Sequence, residues 1–366
     1  MYELWEAFKT WVVYAGMPLV TGYQAMTGSI FLNTEIEGDT GLEKLANQAL
    51  IPTHYLLAGN KAVYDSETGS YRIDQRFHDY KSHFGYRSIA AMSVLPASVA
   101  VGMTLKALAY MKPEVQKRHE LVAKSMREVH VKPKTEFYRS LGIQISDTFD
   151  ELKSQKYERR PGDEKNLAPD QEALKEVVRI FKKHNITHWV DCGTLLGTFR
   201  YQGIIPWDED IDVAILQPDF DNARSALQEL DQSKYLVQDW SSRDKEKTYL
   251  KIFIKETNSI IDIYHFRIDE EKKCVNSIVS NIDCHLMHKN WKIREGRFVR
   301  DVAFDTVFPL KKGTFEGIEV YVPNDTVAYL QSVYGEDLRP AKVYNPDTDR
   351  YERDLDHPYW QKAHVH

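Results

Sequence analysis

WVDCGTLLGTFRYQGIIPWDEDIDVAIL, residues Trp189 to Leu216, is the stretch whose reading decides the fold. A small Gly193-Thr194 turn stands ahead of three alternating acids, Asp208, Asp210 and Asp212, and the apolar residues Ile211, Val213 and Ile215 carry the chain forward. A β-strand sends alternate side chains to opposite faces. The three aspartates therefore share one face, and the isoleucines and valine anchor the other in a core. Carboxylates crowded on one side of a buried strand repel one another and drive some carboxyl groups to protonate. A hard divalent cation, Mg²⁺ or Mn²⁺, removes that cost, and Mg²⁺ prefers one or two carboxylates together with phosphate oxygens. The competing reading is a solvent-facing acidic strand edge. The turn before the acids and the lone Asp262 after them weigh against it.

The chemistry such a constellation serves is phosphoryl-type transfer. Donor phosphates must be neutralised and held, an acceptor hydroxyl aligned, and its proton received. At Gly193 a missing side chain lets the backbone approach closely, the amides opening the next helix point toward an anion, and Thr194 adds a hydroxyl. Asp210 and Asp212, deepest in the apolar run, are the first choice for metal ligands, with Asp208 able to replace either or to hold a second ion. Asp262 lies between Ile261 and Ile263, so it faces away from the core those residues fill. It is read as the base, with metal ligation as its other role. Arg200 either grips a phosphate oxygen or pairs with the aspartates. Trp207 is read as core, and Lys251, Lys311 and Lys312 as weaker phosphate or acceptor contacts.

These residues resemble the LicD family, which includes the fukutin-related proteins and lies within the nucleotidyltransferase-fold superfamily. The matching residues are Asp191, Gly193, Thr194, Leu195, Leu196, Gly197 and Arg200, followed by Ile205 to Asp212. Further matches are Ile261-Asp262-Ile263-Tyr264 and the run Phe308-Pro309-Leu310, Phe315-Glu316-Gly317, Val322-Pro323, Tyr329-Leu330 and Tyr334-Gly335. The resemblance covers about Asp170 to Arg339. The spacer from Thr194 to Asp210 is longer than the superfamily usually carries, which leaves open which two aspartates bind metal. It implies an α/β (α+β) mixed sheet with flanking helices and a third acid at Asp262. It also implies Gly193, Thr194, Gly197 and Arg200 as substrate contacts, and Asp208, Asp210, Asp212 and Asp262 as metal ligands. The implied activity is metal-dependent transfer of a phospho-alcohol or phospho-sugar, such as phosphocholine or a polyol phosphate. The donor would be a nucleotide diphosphate, CDP-linked, and the acceptor a glycan or glycolipid hydroxyl of a cell-surface polysaccharide. Two other classes stay open: a nucleotidylyltransferase modifying a protein or small molecule, and a noncatalytic binding module on the same fold.

A length of 366 residues suggests two domains. The net charge of −6 argues against nonspecific nucleic-acid binding, which needs a basic face. Cys192, Cys274 and Cys284 are odd in number and lack C-x-x-C spacing, so reduced thiols in a cytoplasmic setting fit best; a Golgi lumen is the alternative in a eukaryote. The sequons at Asn185 and Asn324 arise often by chance.

Residues 1–150 read differently, as a mainly helical region. No charge occurs from Thr10 to Thr34 or from Ser88 to Leu105. The second run reaches the lower length limit for a membrane span but carries Pro96. Lys112 to Glu136 then holds seven basic residues against four acids, a flank that anionic lipid attracts. A buried helical hairpin, peripheral membrane contact and a true span all remain open. A polar Pro/Gly linker occupies 151–169, the catalytic domain 170–343, and a polar aromatic tail without an assigned role 344–366. Asp170 is expected to cap a helix with apolar positions Ala173, Leu174, Val177, Val178 and Phe181.

Overall fold

The computed structural model describes residues 25–26, 28–57, 59–67, 69–75, 84–150, 157–163, 168–208, 210–241, 245–279, 282 and 288–361. Most of the uncharged 10–34 run, the 151–156 part of the linker and Cys284 lie outside these residues. The chain divides into two compact units, 1–128 and 129–366.

In the first unit, α1 (Ile30–Asn33), β1 (Thr34–Ile36), α2 (Leu42–Ala49) and α3 (Ile51–Leu57) precede β2 (Asn60–Asp65) and β3 (Ser70–Gln75). The long α4 (Phe84–Tyr110) and then α5 (Pro113–Ser125) follow. β2 pairs parallel with β1 and antiparallel with β3, so a small sheet accompanies the expected helices. One face of α4 packs on α2 and α3, where Gly102 comes so close to Leu50 that an added Cβ would meet Leu50 Cγ at 2.3 Å. Lys106, the lone charge between Ser88 and Tyr110, turns inward and donates to the Thr34 carbonyl (2.6 Å). Outward, Ile89, Met92, Val101 and Leu108 are exposed. Among the described residues α4 is the one helix long and apolar enough to cross a membrane, judged by length and composition alone.

The second unit begins before the expected boundary at 150. After α6 (Thr135–Ser140), β4 (Ile145–Phe149) pairs parallel with β12 (Leu310–Phe315), which pairs antiparallel with β13 (Ile318–Val322). Strand pairing to a partner more than 150 residues away is invisible to local composition. α7 (Ala168–Lys183) buries each of the five apolar positions its periodicity marks. It starts two residues before Asp170, whose carboxylate is not a cap and instead accepts from the hydroxyls of Thr257 (3.2 Å) and Ser259.

The main sheet runs β7 (Tyr235–Asp239), β8 (Tyr249–Ile254), β9 (Ile260–Asp269), β6 (Asp210–Leu216), β5 (His188–Val190). β10 (Cys274–Ser277) takes over the far half of the β9 edge that β8 leaves, and carries β11 (Asp301–Ala303). β6 and β9 are parallel; the β5–β6, β7–β8 and β8–β9 pairs are antiparallel. Leu250, Ile252, Ile211, Val213, Ile261 and Ile263 bury one face in a single core with Phe181, Trp189, Phe220 and Phe266. α8 (Cys192–Tyr201) links β5 toward β6, and α9 (Thr326–Tyr334) packs on α8. The tail is ordered: β14 (Lys342–Asn345) and β15 (Arg350–Arg353) form a hairpin, and Tyr351 donates to Asp163 (2.6 Å) and accepts from the Arg160 amide (2.8 Å).

Two core histidines are held neutral by burial. His188, whose Nδ1 faces the Ile186 carbonyl at 2.8 Å, is lowered to about 4, and His265, against the Phe220 ring, to about 3. Below the unfolded value near 6.5 the unfolded chain takes up protons that the folded chain refuses. Stability is therefore complete above that pH and falls as pH drops toward 4, by about 1.4 kcal/mol per pH unit for each histidine. Urea unfolding of His188→Gln should lose about 2 kcal/mol less between pH 7.5 and pH 5 than the parent chain. Equal losses in both chains would assign this pH dependence to other groups.

Candidate active site

The site is assembled where β5 turns into α8 beside the start of β6. The Asp191 amide donates to the Asp212 carbonyl (3.0 Å), extending the β5–β6 pairing by one bond. Two further bonds tie the helix start to Asp212. The Gly193 amide donates to Asp212 Oδ2 (3.0 Å), and the Asp212 amide donates to Thr194 Oγ1 (2.7 Å). In this structure the polar groups of the Gly-Thr turn thus hold an acid in place. The bare Gly193 also leaves Asp208 its place, because an added Cβ would lie 2.3 Å from Asp208 Oδ2 and displace that carboxylate. Asp208 itself precedes the strand, in a turn closed by its amide on the Ile205 carbonyl (2.9 Å), so the one-face alternation holds for Asp210 and Asp212 but not for Asp208.

Parallel pairing then sets Asp212 directly opposite Asp262, and Lys251 opposite Asp262 on its other side. One carboxylate oxygen from each of Asp210, Asp212 and Asp262 lies within 4.8 Å of the other two. Asp212 and Asp262 are 5% and 3% exposed, so water screens this charge poorly. Burial, then Asp210, Asp208, Asp262 and Asp191, push the Asp212 carboxyl well above the usual carboxylate range. Asp262 Oδ1 is 3.1 Å from Lys251 Nζ yet has no aligned hydrogen-bond donor. Its Oδ2 accepts from the Tyr264 hydroxyl at 3.4 Å. Hard oxygen donors, buried, mutually repelling and with one lone-pair site unmatched, fit a hard divalent cation.

Other candidates are placed elsewhere. The Arg200 guanidinium is buried and donates to the carbonyls of Leu338 (2.7 Å) and Arg339 (2.5 Å), fastening α8 to the chain after α9. Gly197 faces the Gly203 carbonyl, which a Cβ would meet at 2.3 Å. Both serve the packing of α8. Trp207 packs half-buried against Tyr351 (5.0 Å) and the Lys342 ammonium (5.5 Å). Lys311 donates to the Asn324 carbonyl (2.6 Å), and Lys312 pairs with Asp147 (3.3 Å).

Sequence reasoning missed two groups around the acids. Arg300 pairs with Asp191 (3.2 Å) and donates to Tyr329 (2.9 Å), bracing the residue that turns β5 into α8. No local signal marks it. Tyr264 and Tyr249 stack face to face, 5.3 Å apart, beside Asp262. Tyr264 follows Asp262 by two residues on one strand, so period-two alternation does place it on the same face.

Residues 185–325 match the family described as LicD/FKTN/FKRP, nucleotidyltransferase domain. The uncharacterized protein RP689 of Rickettsia prowazekii is 31% identical over 47% of this chain and 56% of its own length. The human ribitol 5-phosphate transferase FKRP is 25% identical over 48% of this chain and 32% of its own. The mouse ribitol-5-phosphate transferase FKTN is 26% identical over 48% and 34%. The chain thus spans from about a third to just over half the length of these curated relatives. Among solved structures, the lincomycin-bound lincosamide antibiotic adenylyltransferase LnuA aligns over 46% of this chain and 87% of its own, at 13% identity and a TM-score of 0.29, too loosely to carry weight. Over residues 185–325 this chain is thus similar to the nucleotidyltransferase domain of the LicD, fukutin and fukutin-related proteins.

Proposed function

We propose that the chain is a metal-dependent transferase that moves a phospho-alcohol or phospho-sugar group from a CDP-linked donor to a glycan hydroxyl. The observation that carries this reading is the convergence of Asp210, Asp212 and Asp262 within 4.8 Å, in a domain similar to that of this family. Asp210 and Asp212 would hold Mg²⁺ or Mn²⁺, with Asp262 as a third ligand or as the base, and Asp208 at the rim. The ion, when bound, supplies charge neutralisation for the donor phosphates. Gly193 and Thr194 keep Asp212 oriented, and Arg300 keeps Asp191 and the start of α8 oriented. Asp262 receives the proton of the accepting hydroxyl as its oxygen bonds to phosphorus, and the nucleoside monophosphate leaves with the electrons of the broken P–O bond. Lys251, 3.1 Å from Asp262, holds that carboxylate in place from the β8 side.

In the first unit, the exposed Ile89, Met92, Val101 and Leu108 on α4 and the basic α5 support a peripheral contact with an anionic bilayer, where a glycolipid acceptor resides. Co-flotation of the purified chain with vesicles containing phosphatidylserine should weaken when Ile89 and Met92 are both changed to Ser. Equal flotation of the two chains would remove α4 from any lipid contact.

The transfer reading is tested with a panel of CDP-ribitol, CDP-glycerol, CDP-choline and GDP-mannose, incubated with Mn²⁺ and a glycan mixture. Release of a nucleoside monophosphate is expected from a CDP-linked donor, and Asp262→Asn should slow it by about 10²–10⁴-fold while folding normally. With CTP and ATP offered in parallel, release of pyrophosphate from a nucleoside triphosphate would instead identify a nucleotidylyltransferase. Metal binding has its own readout. In EDTA, Asp212→Asn should raise the unfolding temperature by relieving repulsion, whereas added Mn²⁺ should stabilise the parent chain and leave the variant nearly unmoved. A parent chain indifferent to Mn²⁺, Mg²⁺ and EDTA would exclude the ion.

A further inference from the structure

The face of the sheet that carries the acids does not end at Asp262. Register runs Asp212, Asp262, Lys251, Gln238 across β6, β9, β8 and β7. Alternation places Tyr264, Tyr249 and Phe253 on that same face, all half-buried, while the opposite face is core. At the β7 end stands Trp240, 48% exposed.

Trp240 is held rather than loose. Its amide donates to the Tyr249 carbonyl (2.9 Å), its indole Nε1 donates to Gln238 Oε1 (2.6 Å), and its ring leans on Phe253 (6.1 Å between centroids). Lys251 Nζ lies 5.2 Å from the Trp240 ring centre, 5.4 Å from that of Tyr249 and 3.1 Å from Asp262 Oδ1. The Trp240 ring centre is therefore no farther from Asp262 Oδ1 than the Lys251–Trp240 and Lys251–Asp262 distances laid end to end, with the Lys251 ammonium between them. An exposed indole fixed at its polar edge offers, on the side away from Lys251, a flat apolar face with few rotamers to freeze; the Lys251 ammonium lies over its other face and Gln238 at its edge. A pyranose presents the matching surface, with a C–H face for the ring and hydroxyls for the rim.

Which substrate occupies this wall follows from the strand order. The Gly193-Thr194 turn lies on the β5 side of the carboxylates, and the wall lies on the β7 side, next to Asp262. In-line displacement puts attacking and leaving oxygens on opposite sides of phosphorus. The base must stand beside the attacking hydroxyl. We propose that Trp240, Tyr249, Lys251 and Gln238 form the acceptor subsite, which takes a neutral sugar unit of the glycan stacked on the Trp240 ring. This rests on the reading of Asp262 as the base.

The test uses the full chain and two variants, Trp240→Ala and Trp240→Phe, each checked for unchanged thermal unfolding. Each is applied with Mn²⁺ and CDP to a printed array of oligosaccharides, and CDP binding is measured separately by calorimetry. The parent chain should capture a subset of glycans. Trp240→Ala should weaken that capture by about tenfold or more, Trp240→Phe less, and both should bind CDP within about twofold of the parent. Glycan capture unchanged in Trp240→Ala, or no capture by the parent chain, overturns the subsite. Loss of CDP binding in Trp240→Ala overturns it too, by giving the wall to the donor's base. A parent chain that captures glycans through Trp240 but binds no CDP leaves the subsite standing and removes the transferase reading instead.

Discussion

The parallel pairing of β6 with β9, with Asp212 in register with Asp262, is the contact on which the rest of the second unit depends. Parallel strands cannot be joined by a tight turn, so the chain between them must make a crossover, and here that excursion contributes β7 and β8 as well. The pairing buys apolar burial on one face and concentrates acid on the other. At an effective dielectric of ~20, each pair of carboxylates this close costs on the order of 3–4 kcal/mol if both are charged. The core of isoleucine, valine and phenylalanine beneath the strands resists that repulsion.

Several features that look separate are responses to this one constraint. The Asp212 side chain is gripped by the Gly193 amide and its backbone by the Thr194 hydroxyl, so it cannot swing out to water. The start of α8 is fixed in turn by the Arg300–Asp191 pair, and its end by the Arg200 bonds to Leu338 and Arg339. A glycine at 193 leaves room for Asp208, and a glycine at 197 lets α8 lie against the backbone at Gly203. Rigid orientation of a first ligand by partners outside the ligand set is how proteins hold metal sites to a narrow geometry.

Legibility varied with how local each constraint is. The helix over Ala168–Lys183 was readable because its apolar stripe repeats with the helical period, and each of its five marked positions is buried. Asp210, Asp212 and Asp262 were readable because alternation on a strand is a property of neighbouring residues. Asp208 falls off that strand because a turn at 205–208 breaks the alternation, and Pro206 is the local mark of that break. The role given to Arg200 from its spacing met a competitor in two carbonyls more than 130 residues away. In the small sheet of the first unit the β2–β3 hairpin is a local feature, polar strands on either side of Gly69, whereas the pairing of β1 with β2 spans two intervening helices and is not.

The amino-acid sequence by itself determined the chemistry available: which residues are acids, that two of them alternate on a strand with a third bracketed by isoleucines, and that a Gly-Thr pair precedes them. Those are local facts, set by the two-residue period of a strand and by what a missing side chain permits. Tertiary structure alone decided which acids meet, that the turn's amide and hydroxyl face Asp212, that Arg200 faces backbone, and that Lys251, Tyr249 and Trp240 stand beside Asp262. Strand register and order fix those neighbours, and register comes from packing one buried face against a core assembled from the whole domain.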